Sequence, residues 1–132
     1  MENPSIMSHV SLGTNQFEKA IDFYDAVLGT IGAKRVMDLT EHGAIAYGKQ
    51  FPEFWVGGTF DEKPAETANG VHFAFLAPSQ EAVDKFYAMA IEKGASGDGE
   101  PGPRPHYGEQ YYGCFVRDLD GHKIEAMFWA EN

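Results

Sequence analysis

Apolar and polar residues alternate over residues 6–13, which is typical of a strand with one face against a core. From Phe17 to Ile31 the apolar residues recur at helical spacing, so this stretch is predicted to be an amphipathic helix that begins near Asn15 and ends at Gly32. Shorter alternating stretches predict strands at about residues 33–40, 43–48 and 53–58. The first half of the chain is therefore predicted to run β-α-β-β-β.

The same order of elements returns after residues 59–69, a polar stretch without either period that we interpret as a linker. A strand over residues 70–77 leads into a helix that begins after Ser79 and ends at Gly94. Further strands are predicted at about residues 95–99, 111–117 and 122–129. The second half is predicted to run β-α-β-β-β as well.

The two halves also match residue by residue when His9 is aligned with His72, which indicates an internal repeat. Three further pairs coincide in this alignment: Leu12 with Phe75, Phe23 with Phe86, and Tyr24 with Tyr87. The chain has 132 residues, a length that suits one compact domain. We therefore predict a single α+β domain over residues 1–132, with module one at about 6–58 and module two at about 70–129.

Residues 100–106 contain three prolines and a glycine, so they are predicted to form a loop rather than regular structure. Loops held by a rigid scaffold often carry binding residues. Arg104 and His106 are therefore candidate substrate-binding residues, and a purely solvated loop is the alternative. Tyr111 and Tyr112 point to opposite faces of the following strand, so at most one of them reaches a pocket, and Tyr111 is the candidate.

Composition narrows the classes of partner. Twenty acidic and ten basic residues give a net charge of −10, which disfavours contacts with nucleic-acid phosphates. No apolar run reaches the length needed to span a bilayer, and no basic, apolar leader opens the sequence. We expect a cytoplasmic protein without a membrane partner. The single cysteine, Cys114, lies in an apolar run and is predicted to be a buried, inert thiol.

Three side chains could hold a metal ion. Strand parity places His9, His72 and Glu125 on the faces of their strands opposite the apolar faces that pack on the helices. Two histidines and one carboxylate form the triad that leaves coordination positions open for substrate or water. The alternative is that the histidines only form hydrogen bonds within a core.

Three segments carry a family resemblance: His9-Val10-Ser11-Leu12, His72-Phe73-Ala74-Phe75, and the strand, Asp-x-Asp-Gly turn and strand from Phe115 to Glu125. Together they strongly resemble the vicinal oxygen chelate superfamily, the group of glyoxalase I, extradiol dioxygenases, fosfomycin-resistance thiol transferases and bleomycin-resistance proteins. The resemblance extends from about residue 6 to 129, and the segment around the turn is its most specific part.

The resemblance implies two βαβββ modules that form a half-open barrel around a divalent metal such as Fe, Mn, Ni or Zn. The ligands it implies are His9, His72 and Glu125. In glyoxalase I a glutamate from the last strand of module one is a fourth ligand. Glu53 is the candidate for that position, and an aromatic residue there is the alternative. Candidates for a catalytic base are Glu53, His106 and Tyr111, and Trp55 is a candidate wall of the substrate pocket.

Three hypotheses for function follow from the resemblance. The first is a metal-dependent enzyme, of lyase, isomerase or dioxygenase type, acting on a small oxygenated substrate. The second is a metal-free protein that binds or sequesters a small molecule, and the third is an interaction module with a vestigial site. The resemblance allows a site within one chain or across a homodimer, and the exposed edges of a half-open sheet favour the homodimer.

Overall fold

The computed structural model describes residues 3–131 and contains two four-stranded mixed sheets, each with one α-helix packed on it. Module one comprises β1 (Val10–Gly13), α1 (Phe17–Gly29), β2 (Lys34–Leu39), β3 (Ala44–Gly48) and β4 (Phe54–Gly57). Module two comprises β5 (His72–Leu76), α2 (Gln80–Glu92), β6 (Ser96–Pro103), β7 (Tyr111–Arg117) and β8 (Lys123–Trp129). The predicted α+β fold of two βαβββ modules is confirmed, and neither sheet closes on itself.

Both sheets have the same topology. The strand order is β1-β4-β3-β2 in module one and β5-β8-β7-β6 in module two. In each sheet the first strand pairs parallel with the last strand of its module, and the remaining pairs are antiparallel. The internal repeat seen in the sequence is therefore a repeat of architecture. Residues 58–71 join the modules without a helix or strand.

The two helices begin in different ways. The Ser79 hydroxyl accepts a hydrogen bond of 3.0 Å from the backbone N–H of Ala82, which caps α2 as predicted. At the start of α1 the backbone N–H of Asn15 instead donates to the carboxylate of Asp120, at 3.0 Å. Module two therefore holds the residue that lies just before the N-cap of the module-one helix. Gly32, at φ +87°, lies just beyond α1, where a left-handed residue ends the helix.

One hydrophobic core joins the modules, because side chains of both helices and both sheets belong to the same buried cluster. Four aromatic rings form a continuous path through it. The Phe54 ring lies 5.1 Å from that of Tyr24 and 4.9 Å from that of Phe75, which in turn lies 6.2 Å from Phe86. The modules are thus packed through their helix-facing sides, and the opposite faces of both sheets are left open.

A second link between the modules is polar and lies in the turn between β7 and β8. The Tyr24 hydroxyl donates to Asp118 at 2.5 Å, and the Thr14 hydroxyl donates to Asp120 at 2.5 Å. His122 Nε2 donates to the carbonyl of Gly13 at 2.7 Å. Burial raises the pKa of both Tyr24 and Asp118. The turn that is most specific to the family resemblance therefore also fastens module two to module one.

The loop prediction for residues 100–106 is wrong in its first part, because β6 continues through Pro101 to Pro103. This strand is an edge strand that pairs only with β7, and its register shifts between Gly97 and Gly99 and again between Gly99 and Gly102. An irregular edge strand tolerates proline because many of its N–H groups have no partner to lose. The chain leaves the sheet only after β6, in a segment with a short 3-10 helix at Pro105–Tyr107.

Two strand starts also lie later than the alternating patterns predict. β1 begins at Val10, and Ile6 is fully exposed outside it. β5 begins at His72, so Val71 is exposed and the core face of that strand starts at Phe73. Cys114 is buried, and burial raises the pKa of its thiol to about 11, in agreement with the predicted inert cysteine. Among the described residues no helix is both long and apolar enough to cross a bilayer.

Candidate metal and substrate site

The candidate site lies on the face of the module-two sheet that α2 does not cover. Side chains alternate along a strand, and Val116, Ile124 and Ala126 are fully buried in the core, so Phe115 and Glu125 lie on the opposite, open face. Strand pairing puts the open-face residues in rows across the sheet. One row contains Ala74, Glu125 and Phe115, and the adjacent row contains His72, Lys123 and Arg117.

His72 and Glu125 come together on this face as a close pair. His72 Nε2 lies 3.0 Å from Glu125 Oε1, and the imidazole side chain is 44% exposed whereas the carboxylate side chain is only 9% exposed. The second oxygen of Glu125, Oε2, accepts a hydrogen bond of 2.6 Å from the Tyr111 hydroxyl. The Phe115 ring packs edge-on against the imidazole, 6.0 Å between centroids. Glu125 is thus held by the hydrogen bond from Tyr111, while His72 faces solvent.

The spacing of this pair fits two ligands of one divalent ion. Metal–nitrogen and metal–oxygen bonds of about 2.0–2.2 Å at a right angle place the two ligand atoms about 3 Å apart. The observed separation of 3.0 Å between His72 Nε2 and Glu125 Oε1 matches that distance. Ala74, which pairs with Glu125 in the sheet, is small and exposed. The donors are therefore suitable for a metal, with open space beside them.

His9 does not join this pair within one chain. It lies just before β1, exposed, with its Nδ1 2.9 Å from the Ser8 hydroxyl. It lines a depression of about 320 Å³ together with Trp55, whereas His72 lines a separate cavity of about 450 Å³. Within residues 3–131 no three His, Cys, Asp or Glu side chains converge as a metal site. One chain therefore brings together two of the three predicted ligands and leaves His9 apart.

The register of β4 decides which residue of module one corresponds to Glu125. Ser11 pairs with Trp55 in the first sheet, as Ala74 pairs with Glu125 in the second. Since the repeat aligns Ser11 with Ala74, Trp55 occupies the position of Glu125. Glu53 lies two residues earlier and is exposed. By this register an aromatic residue, Trp55, is the repeat equivalent of Glu125, and Glu53 as a fourth ligand stays a prediction.

The segment after β6 reaches the site through contacts between aromatic rings. The Arg104 guanidinium donates to the carbonyls of Glu100 and Gly102, at 2.7 and 3.0 Å, and so fastens the segment to β6. The rings of His106 and Tyr107 lie 4.2 Å apart, and Tyr107 packs edge-on against Tyr111 at 5.0 Å. Arg104 and His106 remain predicted substrate contacts. Tyr111 lies in the site with its hydroxyl on Glu125.

A family model described as the Glyoxalase/Bleomycin resistance protein/Dioxygenase superfamily matches residues 6–126 of this fold. The chain belongs to that superfamily. A glyoxalase/bleomycin resistance protein from Albidiferax ferrireducens T118 is 34% identical, with a TM-score of 0.84 and coverage of 96% of this chain and 100% of the other. The family resemblance seen in the sequence is confirmed.

Two more distant structures share the fold of the superfamily. A glyoxalase-related enzyme from Fulvimarina pelagi is 18% identical, with a TM-score of 0.71, and the match covers 96% of this chain and 88% of the other. A lactoylglutathione lyase from Agrobacterium tumefaciens is 20% identical, with a TM-score of 0.62, and the match covers 96% and 95%. No curated protein gives a significant match.

Two residues of this superfamily member were missed by sequence reasoning. Lys123 Nζ lies 4.9 Å from the centroid of the Phe115 ring and 3.3 Å from Asp98, which Arg117 also contacts at 3.0 Å. Lys123 and Arg117 thus share one carboxylate, Asp98, and form an ion-pair cluster beside the row that contains Glu125. Lys123 has the same strand parity as Glu125, so parity alone could have predicted that it lies on the site face. Predicting that Phe115 lies beside Glu125 requires the pairing of β7 with β8.

Proposed function

We propose that this chain is a divalent-metal-dependent enzyme that acts on a small oxygenated substrate, as a lyase, isomerase or dioxygenase. The observation that carries the proposal is the pair of His72 and Glu125, with donor atoms 3.0 Å apart on an open sheet face. His72 and Glu125 would hold a divalent ion such as Fe, Mn, Ni or Zn, which would supply a Lewis acid for polarising substrate oxygens and stabilising a developing oxyanion.

A second copy of the chain completes the site in this proposal. Within one chain the modules pack through their helices and the shared core, so the open faces of the two sheets do not cover each other. The open face of module two carries exposed apolar side chains, with Leu76 74% and Trp129 46% exposed. Exposed apolar surface of this kind favours association. A twofold homodimer brings the His9 face of one protomer onto the His72 and Glu125 face of its partner, twice.

Other residues around the proposed metal site bind the substrate or transfer a proton. Trp55 lines the same depression as His9 and forms a wall of the assembled pocket. Lys123 beside Phe115 attracts a negatively charged group of the substrate. Burial, together with the hydrogen bond to Glu125, raises the pKa of Tyr111, so its hydroxyl stays a donor at neutral pH and does not act as the base. Glu53 and His106, both exposed, remain the candidates for the base.

Metal content measured on purified protein tests the proposal. We expect about one divalent ion per chain in the wild type and a loss of at least about tenfold in His9→Ala, His72→Ala and Glu125→Ala. His42→Ala is the matched control, because His42 lies exposed in the turn between β2 and β3. If the wild type holds no stoichiometric metal and none binds with micromolar affinity, the metal-dependent function is wrong.

Mixed dimers test whether the site crosses two chains. Co-expression of His9→Ala and Glu125→Ala chains with different affinity tags allows the heterodimer to be purified. A site between chains leaves one intact site in this heterodimer, formed by His9 of one chain with His72 and Glu125 of the other. We then expect about half the wild-type metal content. A heterodimer as empty as both parent variants contradicts the site between chains.

A metal-free binding protein is the second candidate, and the cavity beside His72 favours it. This cavity of about 450 Å³ lies between the modules, and most of its lining is apolar, including Leu28, Phe54, Phe75 and Leu76. Its volume is within the range of small-molecule sites. A thermal-shift screen of small molecules on chelator-treated protein tests this candidate. Under this reading, His9→Ala leaves the ligand-induced shift intact, whereas the metal-dependent reading predicts that the shift requires added metal.

A further inference from the structure

We propose that Tyr111 is a positioning residue that holds Glu125 in one orientation, with Oε1 presented beside His72 as the oxygen that binds a metal. The proposal builds on the proposed function, because it concerns the same candidate ligand. The Tyr111 hydroxyl donates to Glu125 Oε2 at 2.6 Å, while Oε1 faces His72 at 3.0 Å. Tyr111 and Glu125 are both buried, so no bulk water competes for this bond.

Gly113 makes this contact sterically accessible. Tyr111 pairs with Trp129 at one end of β7, whereas Glu125 pairs with Phe115, so the tyrosine ring must extend along its own strand over position 113. A Cβ atom at Gly113 would lie 2.5 Å from Cζ of the Tyr111 ring, well inside contact distance. Any side chain at position 113 therefore displaces the phenol from Glu125. The absence of a side chain at position 113 is part of how the ring reaches its acceptor.

The segment after β6 holds the ring from its other side. Tyr107 packs edge-on against Tyr111, with 5.0 Å between centroids, and Arg104 fastens this segment by hydrogen bonds to backbone carbonyls of β6. The segment that sequence reasoning assigned to substrate contact thus also acts on Glu125, through Tyr111. The Tyr111 ring therefore lies between the backbone of Gly113 and the ring of Tyr107.

The hydrogen bond from Tyr111 limits how Glu125 can coordinate. A free carboxylate has two oxygens and can bind an ion with both. Because Oε2 accepts the phenol O–H, binding an ion with both oxygens would compete with that hydrogen bond. Glu125 therefore presents Oε1, which favours binding through one oxygen and leaves a coordination position for substrate or water. Hydrogen-bonded partners of metal ligands commonly fix ligand orientation, and their loss typically weakens metal affinity by about 10–100-fold.

Two variants and one matched control test the proposal. Tyr111→Phe removes the hydroxyl and keeps the ring, and Gly113→Ala keeps the hydroxyl but displaces it. Tyr112→Phe is the control, because the neighbouring Tyr112 hydroxyl donates to Asp84 on α2, at 2.7 Å, on the other face of β7. Zn²⁺ and Mn²⁺ affinities are measured by competition with a chromophoric chelator, and circular dichroism checks the fold of each variant. We expect Tyr111→Phe and Gly113→Ala to weaken binding about 10–100-fold and the control to stay within about twofold.

Crystal structures of the metal-free variants give a readout that does not depend on metal. We expect one Glu125 rotamer in the wild type and in Tyr112→Phe, and more than one in Tyr111→Phe and Gly113→Ala. If Tyr111→Phe keeps the single rotamer and the wild-type affinity, Tyr111 does not position Glu125, although the metal site survives. If Glu125 is released but the wild type binds neither ion, the positioning role stands and the metal-dependent function fails.

Discussion

Replacing Tyr24 with phenylalanine removes the hydrogen bond from α1 to Asp118 in module two. Asp118 Oδ1 keeps the backbone N–H groups of Asp120 and His122, at 3.0 and 2.9 Å, but Oδ2 loses the Tyr24 hydroxyl at 2.5 Å. The carboxylate is only 6% exposed, so water replaces the lost donor poorly. A hydrogen bond to a charged group contributes about 1.5–3 kcal/mol. We expect Tyr24→Phe to lower the free energy of unfolding by about 2–3 kcal/mol at neutral pH.

The cost of Tyr24→Phe should depend on pH in a defined direction. Burial raises the pKa of Asp118, and the hydrogen bond from Tyr24 acts against burial because it favours the charged carboxylate. Without Tyr24 the folded-state pKa of Asp118 rises further. The stabilisation by Tyr24 is therefore present while Asp118 is ionised and is lost as the pH falls through its raised pKa. We expect the difference between wild type and variant to shrink between about pH 7 and pH 4.

Urea unfolding at one fixed protein concentration measures both effects, since association makes stability depend on concentration. With a urea dependence of about 1–3 kcal/mol/M, the midpoint should fall by about 0.7–3 M at neutral pH. Tyr87→Phe is the control: Tyr87 is the repeat equivalent of Tyr24, but it is half-buried and its hydroxyl lies against Gly97. A cost for Tyr24→Phe below about 0.5 kcal/mol, or equal at both pH values, would refute a charged Asp118 held by Tyr24.

Three simpler predictions test the core and two local features. Phe86→Ala empties a fully buried site and should lower the free energy of unfolding by about 3–5 kcal/mol in urea. Gly29→Ala, at the end of α1 where a Cβ meets no other atom, should raise the free energy of unfolding by about 0.5 kcal/mol. In Gly48→Ala the new Cβ overlaps the Phe51 carbonyl, so this variant should lower the free energy of unfolding by at least about 1–3 kcal/mol. Cys114, buried with a thiol pKa raised to about 11, should react with a thiol reagent at neutral pH only as fast as the protein unfolds.

Local periodicity predicted the order of elements because each helix and most strands bury one face. It failed where an interaction between distant residues decides the structure. Prolines were interpreted as the end of regular structure, but β6 tolerates Pro101 and Pro103 because it is an irregular edge strand. The start of α1 was assigned to local residues, yet the partner of the Asn15 N–H is Asp120, in the other module. Neither edge position nor a contact between modules can be read from a local pattern.

The candidate site shows the same limit at the level of register. Strand parity places Glu53 and Trp55 on one face and cannot choose between them, because they lie two residues apart. The choice depends on the pairing of Trp55 with Ser11, which is a contact between β1 and β4. Likewise, parity puts His72 and Glu125 on one face, but their separation of 3.0 Å follows from the register of β5 against β8. The sequence therefore predicted which two residues share the face but not that their side chains lie in contact.

A site assembled from two chains makes metal binding and dimerisation depend on each other. If His9 of one protomer and His72 with Glu125 of its partner hold the same ion, the ion binds the dimer more tightly than the monomer. Linkage then requires that metal lowers the dissociation constant of the dimer. We expect sedimentation equilibrium to show a tighter dimer with Zn²⁺ than with chelator.

The variants separate this linkage from other effects of metal. His72→Ala should retain the metal-free dimer and lose the tightening by Zn²⁺, because the apolar face with Leu76 and Trp129 is unchanged. His42→Ala, in the turn before β3, should behave like the wild type. A wild-type dimer equally tight with and without bound Zn²⁺ contradicts a shared ion, because a ligand with no preference for the dimer cannot shift the equilibrium. Metal binding and association measured on the same samples therefore decide whether the two open faces form one site.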